Sequence, residues 1–541
     1  MNPEIIIKQL IKYHPKSKDD IEIFKHKLCK EYHLNTIYNN ELLSFYQILV
    51  KNQTIKPKPW LEKLLIGKNT RSLSGVSVIT VASKPYPCPG NCLYCPTQKS
   101  VPKSYLDNEP AILRAIRHNY SPQKQVMERL KVLQLNGHPT DKLEIIIIGG
   151  TFSFFNKNYQ TNFIKKIFDV CNGKTSKNLE DSQKLNEKSK NRIVGLTIET
   201  RPDFINNQEI KHLRKLGVTR VELGVQSVFN DILKLNNRGH MVETTIKATK
   251  LLKDAGFKIC YHMMPNLYGS NPKKDLAMFK TLFTNQDFQP DMLKIYPCMV
   301  MKEAKLYEVY QQGKYKPYTY KTLSKLLKNI LIVLPTYVRV QRLIRDIPAQ
   351  SIIGGVKISN LRDIIEKELT KEKQKVWEIR FREIKDEWKS SKNLKIFRTD
   401  YSANDGHEIF LSVEDKNRDK IYSLLRLRIP SKTKPVFDIL KDSAIIREVH
   451  TYGQQIKVDR KSKAAQHQGL GKQLINQAET IAKNEFHINK MAVISGVGVR
   501  EYYKKLGYKL KDTYMFKNLK SQISKVKSIN QKSKVPHTQK V

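Results

Sequence analysis

The chain has 541 residues, too many for one ordinary core; at roughly 150 residues per domain it should hold three or four. Hydrophobic residues at 40% and aromatics at 9% are enough to build cores of that size and exclude global disorder. Lys and Arg number 97 against 51 Asp and Glu, a formal charge of +46 that argues against an enzyme of small neutral molecules and for a polyanion partner. A Lys-rich codon bias and acidic membrane surfaces are the competing explanations of that charge.

In chain order, residues 1–60 show helical periodicity with a basic bias and end in the extended "KPKPW". They read as a basic helical extension for phosphate-backbone contacts. The start "MNPEIIIKQLIKYHPK" lacks the order of a signal peptide. The longest apolar runs fall far below the ~20 residues that span a bilayer. Seven cysteines, with no disulfide-like spacing outside one cluster, fit a reducing interior, so a cytoplasmic protein without membrane contact is expected.

From 61 to 348, β-rich runs alternate with amphipathic helices: "VSVITVA", "EIIIIGG", "IVGLTIE", "TRVELGV", "KICYHMM" and "MLKIYP". Near-continuous apolar strands between helices argue for a parallel sheet, a partial or complete (β/α) barrel with its chemistry at the C-terminal strand ends. Within it, 172–192 is polar and reads as a surface connection. Residues 349–393 read as a charged helical linker. From 394 to 516 the strands look antiparallel before a helix and a final strand–helix–strand, a mixed α/β domain. Residues 517–541 are Lys-rich and read as a disordered tail.

Two motifs carry chemistry. Cys88, Cys92 and Cys95 form C-x3-C-x2-C directly after the first strand. Three thiolates on one loop can hold three irons of a [4Fe-4S] cubane and leave the fourth open. Structural zinc is the alternative, but it wants a fourth protein ligand and Cys29, Cys171, Cys260 and Cys298 are scattered. Further on, Gln466, Gln468, Gly469, Leu470, Gly471 and Lys472 lie in "QHQGLGK" between a strand and an amphipathic helix. Glycines there let backbone N–H groups converge on a pyrophosphate at a helix N-terminus.

The cysteine spacing resembles the radical S-adenosylmethionine superfamily, in which the open iron binds that cofactor and an electron cleaves it to a 5′-deoxyadenosyl radical. Tyr94 then falls where the family stacks a side chain near the adenine. Gly149 and Gly150 of "IIGGTF" match its glycine motif. The second half resembles the GNAT acetyltransferase fold, which binds acetyl-CoA, with Tyr502 and Tyr503 where a tyrosine often lies beside the thioester sulfur. Stretches such as "NEPAILRAIRHNY", "GLTIETRPD", "NNRGH", "REVHTYG" and "AVISGVGVREYYKKLGY" make the whole, from about 55 to 516, similar to the Elp3 family, the catalytic subunit of Elongator and its stand-alone relatives. The short cysteine spacing leans to the stand-alone, prokaryote-like type.

That resemblance implies carboxymethylation at C5 of the wobble uridine, U34, of tRNA, with acetyl-CoA as donor. It places the cluster on Cys88, Cys92 and Cys95. Acetyl-CoA contacts fall on Lys142, on Glu448, Val449, His450 and Thr451, on Gln466, Gln468 and Gly469, on Leu470 to Lys472, and on Tyr503. Lys294, Tyr502 and Tyr503 are the expected catalytic side chains. Glu199 and Arg201, with Asp203, are the expected ligands of S-adenosylmethionine at a strand's C-terminal end, with a structural ion pair as the alternative; Gln226 is a further strand-end candidate, and His262 is either another or a packed core histidine. Partner subunits of the Elongator type or a homodimer are also implied. Some relatives carry a zinc-binding cysteine group in the linker; here Val376, Glu378 and Phe381 occupy those positions, so no zinc is expected and an apolar plug around Trp377 and Phe381 should replace it. The competing function is a protein lysine acetyltransferase with a structural cluster, which a +46 charge disfavours because it repels basic tails. A non-catalytic tRNA-binding platform is the third reading.

Overall fold

The computed structural model describes residues 3–33, 37–66, 75–384, 393–453 and 469–519. Four N-terminal helices, α1 (Pro3–Tyr13), α2 (Lys18–Glu31), α3 (Asn39–Lys51) and α4 (Pro59–Leu65), bury a core of their own around Ile7, Leu10, Leu42, Leu43 and Leu61. α2 starts on a capping box: Ser17 Oγ accepts from the Asp20 N–H at 3.1 Å and Asp20 accepts from the Ser17 N–H at 2.9 Å.

Seven strands follow, β1 (Ser77–Ala82), β2 (Lys142–Ile148), β3 (Arg192–Thr200), β4 (Arg220–Gln226), β5 (Lys258–Met263), β6 (Met292–Ile295) and β7 (Arg339–Arg342). They pair in chain order and every pair is parallel. Parallel neighbours need crossover connections, and the intervening helices supply them. β7 is absent from the sequence reading because "RVQR" is short and charged, without an apolar run. β1 and β7 do not pair with each other, so the barrel is a half-barrel.

Side chains alternate across each strand. Ile79, Ile145, Val221, Ile259, Leu293 and Val340 point outward and are fully buried in the main apolar core. Their alternating neighbours, among them Glu144, Glu222, His262 and Lys294, line a cavity of about 960 Å³ inside the half-barrel.

Two sequence expectations are corrected. The polar stretch 172–192 is not a mere surface connection: Gly173 ends the helix Lys157–Asn172 in the left-handed region, and Leu179–Asn186 forms a second helix. Asn186 is fully buried because its amide satisfies neighbouring groups, donating to Asn172 Oδ1 at 2.8 Å and accepting from the Ile193 N–H at 2.8 Å. The supposed linker is also part of the main core: Leu361, Ile365, Leu369, Val376 and Ile379 are buried there.

The C-terminal module is a second sheet of β8 (Lys395–Ala403), β9 (Gly406–Glu414), β10 (Ile421–Ile429), β11 (Ala444–Thr451), β12 (Lys490–Val493), β13 (Lys509–Lys511) and β14 (Tyr514–Asn518). Its order is β13-β14-β12-β11-β10-β9-β8, antiparallel except for the β11–β12 pair. The fold is therefore α/β, a parallel half-barrel followed by a mixed sheet. The modules share a core, since Ile445, Ala492, Ile494 and Tyr514 belong to the apolar cluster of the barrel. A buried ion network also joins them. Arg447 of β11 donates to Asp291 at 2.9 and 2.5 Å and to Glu408 at 3.0 Å. Among the described residues no helix is long and apolar enough to cross a membrane. The Lys-rich tail beyond Leu519 lies outside the described residues.

Candidate functional site

The cavity runs the length of the half-barrel. Cys88, Cys92 and Cys95, on the loop beyond the C-terminal end of β1, line it at one end, and Glu448, His450 and Tyr452 line it at the other. Cys95 is the thiol most opposed to ionisation. Burial, then Cys92 and Cys88, push the Cys95 thiol up to about 11. A cationic centre bound by all three would reverse that effect, so the donor set fits an iron–sulfur cluster with one iron free of protein ligands.

The groups around this loop are unevenly satisfied. Arg201 makes a two-pronged pair with Asp203, 2.9 Å on each side, yet its Nη1 is buried without a partner. Tyr94 Oη and Gln226 Oε1 are likewise buried and unpartnered, and all three residues line the cavity. Buried polar atoms of this kind are rare unless a ligand completes them, so the site fits a polar cofactor such as S-adenosylmethionine. A Cβ at Gly90 would collide with Arg201 Nη1, so glycine is what allows the guanidinium to lie over the cysteine loop. Gly149 and Gly150 have φ of +129° and +91°, and a Cβ at Gly149 would strike Ser83 Oγ. Thr151, next in line, lies 3.9 Å from Cys88 Sγ.

Arg238 is a site residue that sequence reasoning missed. Its Nη1 donates to Cys92 Sγ at 3.5 Å and its Nη2 to the Gly224 carbonyl. Its signal was the "NNRGH" stretch, noted only as a family match.

Midway down the lumen Glu222 is fully buried between Lys294 and His262, whose Nε2 lies 2.9 Å away. Burial opposes its charge, but Lys294 and then His262 hold the carboxyl well below the usual range. Glu222 in turn keeps the Lys294 ammonium charged against its own burial. Glu199 accepts from Tyr105 Oη at 2.7 Å and lies 3.8 Å from Lys294. Lys294 therefore joins Glu199, Glu222 and His262 in one network.

At the far end the second module completes the wall. Glu448 is clamped by Lys258 of β5 at 3.1 Å and Arg426 of β10 at 2.8 Å. Although burial opposes ionisation, these two cations hold it well below the ordinary range. Its side chain is thus a cross-module strut, and only its backbone is free to meet a ligand. β11 pairs with β12 only over Ala444–Ile446, so beyond that point the two strands part. Val449 and Thr451 of the splayed segment approach the helix Leu470–Asn484: a Cβ on Gly471 would lie 3.5 Å from Val449 Cγ1 and 3.8 Å from Thr451 Oγ1. Gly469 starts that helix at φ +74°. Leu470 is buried in the second module's core and Lys472 is exposed. Gln466 and Gln468 lie outside the described residues.

Of the tyrosine pair, Tyr502 is 39% exposed and its Oη would lie 3.4 Å from a Cβ on Gly471, whereas Tyr503 is buried in the second module's core. Lys142 is half-buried at the start of β2, two residues before Glu144, whose carboxyl is held charged against burial by Arg220 and Lys258 and then His450. The expected apolar plug is corrected in part. Glu378 is fully buried, accepting from Arg362 at 2.6 Å and from the Val340 and Arg380 N–H groups at 3.0 and 2.8 Å. Lys375, Arg382 and Arg418 surround the Trp377 ring. Val376 is buried in the main core and Phe381 packs against it, so apolar packing is present as expected, but the buried ion pair of Glu378 and the cation–π contacts of Trp377 share that position.

A parallel half-barrel with a three-cysteine loop after its first strand is the architecture of a radical S-adenosylmethionine enzyme. Residues 86–282 match the Radical SAM superfamily and 290–371 match its C-terminal domain. The chain is 43% identical over 533 residues to a tRNA uridine(34) acetyltransferase of Methanocaldococcus infernus, covering 95% of this chain and 98% of that protein. It is 37% identical to human Elongator complex protein 3, covering 95% and 96%. A solved archaeal structure, Methanocaldococcus infernus Elp3 lacking its N-terminus, superposes with a TM-score of 0.73 at 42% identity, over 83% of this chain and 100% of that one. The chain belongs to the Elp3 family.

Proposed function

We propose that the protein modifies U34 of tRNA at C5, using a radical derived from S-adenosylmethionine and the acetyl group of acetyl-CoA, to leave a carboxymethyl substituent. The observation that carries this reading is the continuous cavity, with the three cysteines at one end and the splayed end of β11 at the other. When bound, the cluster and S-adenosylmethionine supply a carbon radical able to take a hydrogen atom from the acetyl methyl group.

The chain's own residues bind, orient and shield. Cys88, Cys92 and Cys95 hold the cluster, and Arg238 offers its guanidinium to Cys92. Arg201, Tyr94 and Gln226 present unpartnered polar atoms to the cofactor. The backbone of Glu448–Thr451, with the helix that starts at Gly469, receives the acetyl donor's pantetheine and phosphates, because β11 parts from β12 there and a helix N-terminus offers N–H groups. Lys294, kept charged by Glu222, holds a proton at Nζ beside the reacting base. Tyr502 is the tyrosine placed to reach the donor.

The enzyme works in the cytoplasm in this reading, and light scattering of the purified protein decides whether it acts alone, as a homodimer or with further Elongator-type subunits. The test of function is anaerobic: reconstituted protein, reductant, S-adenosylmethionine, acetyl-CoA and a tRNA carrying U34, with nucleosides read by mass spectrometry. A carboxymethyl-type uridine that requires both small molecules is expected. Acetyl transfer to a lysine peptide without any tRNA product would favour the lysine acetyltransferase instead.

A further inference from the structure

An open half-barrel leaves two edge strands, and their backbone carbonyls need donors. In this chain arginines provide them. Arg114 Nη2 donates to the Thr80 carbonyl of β1 at 2.6 Å. Across the gap, Arg362 Nη1 donates to the Val340 carbonyl of β7 at 2.8 Å and Arg380 Nη1 to that of Gln341. All three arginines line the cavity. On the cysteine side the gap is bridged, since Arg345 binds the Ser104 carbonyl and lies 2.9 Å from Glu109. On the other side Glu448 and His450 of β11 line the cavity. Between them the unpaired edges of β1 and β7 carry guanidinium groups on both sides, Arg114 on one and Arg362 and Arg380 on the other, and frame a window.

These caps carry more charge than the strand edges require. Arg362 is neutralised by Glu366 at 2.5 Å and Glu378 at 2.6 Å. Arg114 is only 9% exposed, yet its Nε is buried without a partner. Burial, then Arg129, push its pKa down to about 10. For Arg380, burial and then Arg362 and Arg339 do the same, to about 10, against the smaller opposing pull of Glu383 and Glu378. A neutral amide would cap a carbonyl without this repulsion. Two crowded cations on opposite edges of a window are stabilised by an anion between or beside them, and the planar guanidinium fork matches phosphate oxygens.

We propose that this window is the port through which one RNA nucleotide passes its base into the barrel, with Arg114 and Arg380 holding the phosphodiesters on either side of it. The inference rests on the tRNA reading above and names the residues by which that same site admits its substrate. A base can meet both the cysteine end and the donor end of the lumen only by leaving its stack, as base-modifying enzymes require. Phosphate contacts then fix position and base contacts fix identity. The other source of phosphate on hand is the coenzyme A moiety of the donor, and the test separates the two.

The test uses the reconstituted holoenzyme and an anticodon stem-loop RNA with U34. In Arg114→Gln/Arg380→Gln each amide can still cap its carbonyl while the charge is lost. The KM for the stem-loop should rise about tenfold. The slope of log affinity against log salt should fall by about 1.4, two contacts at roughly 0.7 each for single-stranded RNA. The KM for acetyl-CoA should stay unchanged. Arg380→Gln alone, at a half-buried position, should show about half of the slope change and guards against misfolding at Arg114. The corresponding Lys variants should restore the slope. Unchanged stem-loop KM and slope would overturn the proposal. A rise confined to the acetyl-CoA KM would overturn it too, assigning the arginines to the donor's phosphates. Wild-type holoenzyme that binds the stem-loop but never modifies it would sink the U34 reading instead, while the slope measurement would still decide the port.

Discussion

The catalytic reading requires the two modules to stay in register, and two glycines test that requirement. The segment Ser495–Val499 of the second module runs against the backbone of β3. A Cβ on Gly496 would fall on the Val194 carbonyl, and one on Gly498 would lie 2.6 Å from Arg192 Cβ and 2.9 Å from the Ile193 N and O atoms. Neither glycine has a positive φ, so the cost of alanine is contact alone. At Gly498 the neighbours would have to retreat roughly 0.5–0.8 Å to reach ordinary contact at 3.4 Å. The obstructing atoms are mostly backbone and cannot rotate away, so each alanine should cost about 1–3 kcal/mol, toward the upper end. The same segment leads into the helix Arg500–Lys505, which carries Tyr502 and whose Arg500 pairs with Glu187 at 3.1 Å. Displacement would therefore shift the donor side against the barrel. Urea denaturation should show the loss of stability. Cluster absorbance and acetyl-CoA binding should survive in Gly498→Ala while modified uridine falls at least tenfold. Wild-type product formation with stability unchanged within ~0.5 kcal/mol would refute the argument that this contact sets the register.

Four further outcomes follow from the same structure. Arg447→Met removes the guanidinium shared by Asp291 and Glu408 and should cost about 3 kcal/mol by urea denaturation, the low end for a broken buried network because Lys253 and Arg426 remain nearby. Cys92→Ser should abolish iron-dependent absorbance and tRNA product while leaving far-UV circular dichroism and acetyl-CoA titrations unchanged. Burial, then Arg238, push His240 down to about 4, and its Nε2 is buried without a partner. The unfolded chain therefore takes up the proton first as pH falls from 6.5 toward 4, and stability should drop across that window by up to roughly 3 kcal/mol; His240→Gln should flatten this part of the denaturation profile. Glu222→Leu with Lys294→Met should leave stability unchanged or raised, as for other buried ion pairs replaced by apolar groups, while product formation is lost.

Legibility followed the range of the interaction. Six barrel strands could be read because their outward faces are Ile, Val and Leu in short runs, and the cysteine loop because its three ligands lie within one loop. β7 could not be read, since "RVQR" gains its outward Val340 only from the helices that cover it. The helix Leu179–Asn186 was hidden because buried Asn186 and Ser182 look like solvent-seeking residues until their partners are known. Glu222, Arg220 and Arg447 gave no sign of burial for the same reason: what allows a charge inside is a countercharge from a distant strand. Glu448 carried a donor-binding expectation from its motif, and the fold adds that its carboxylate is already engaged by Lys258 and Arg426.

The period of two along the barrel strands divides labour between stability and chemistry. Outward residues such as Val221, Ile259 and Leu293 are removed from water under helices, where each contributes about 1.5–3 kcal/mol. Their inward neighbours Arg220, Glu222, Lys258 and Lys294 forgo that gain and form ion pairs that are close to neutral for stability. A barrel with a hydrocarbon centre would be more stable and would offer no charged groups to a polar ligand. The polar lumen is tolerated because the outer face supplies the folding free energy. The same division explains why arginines cap the edge strands. At an edge the inward and outward faces meet, and a guanidinium can complete the sheet with one N–H while offering the others to whatever enters.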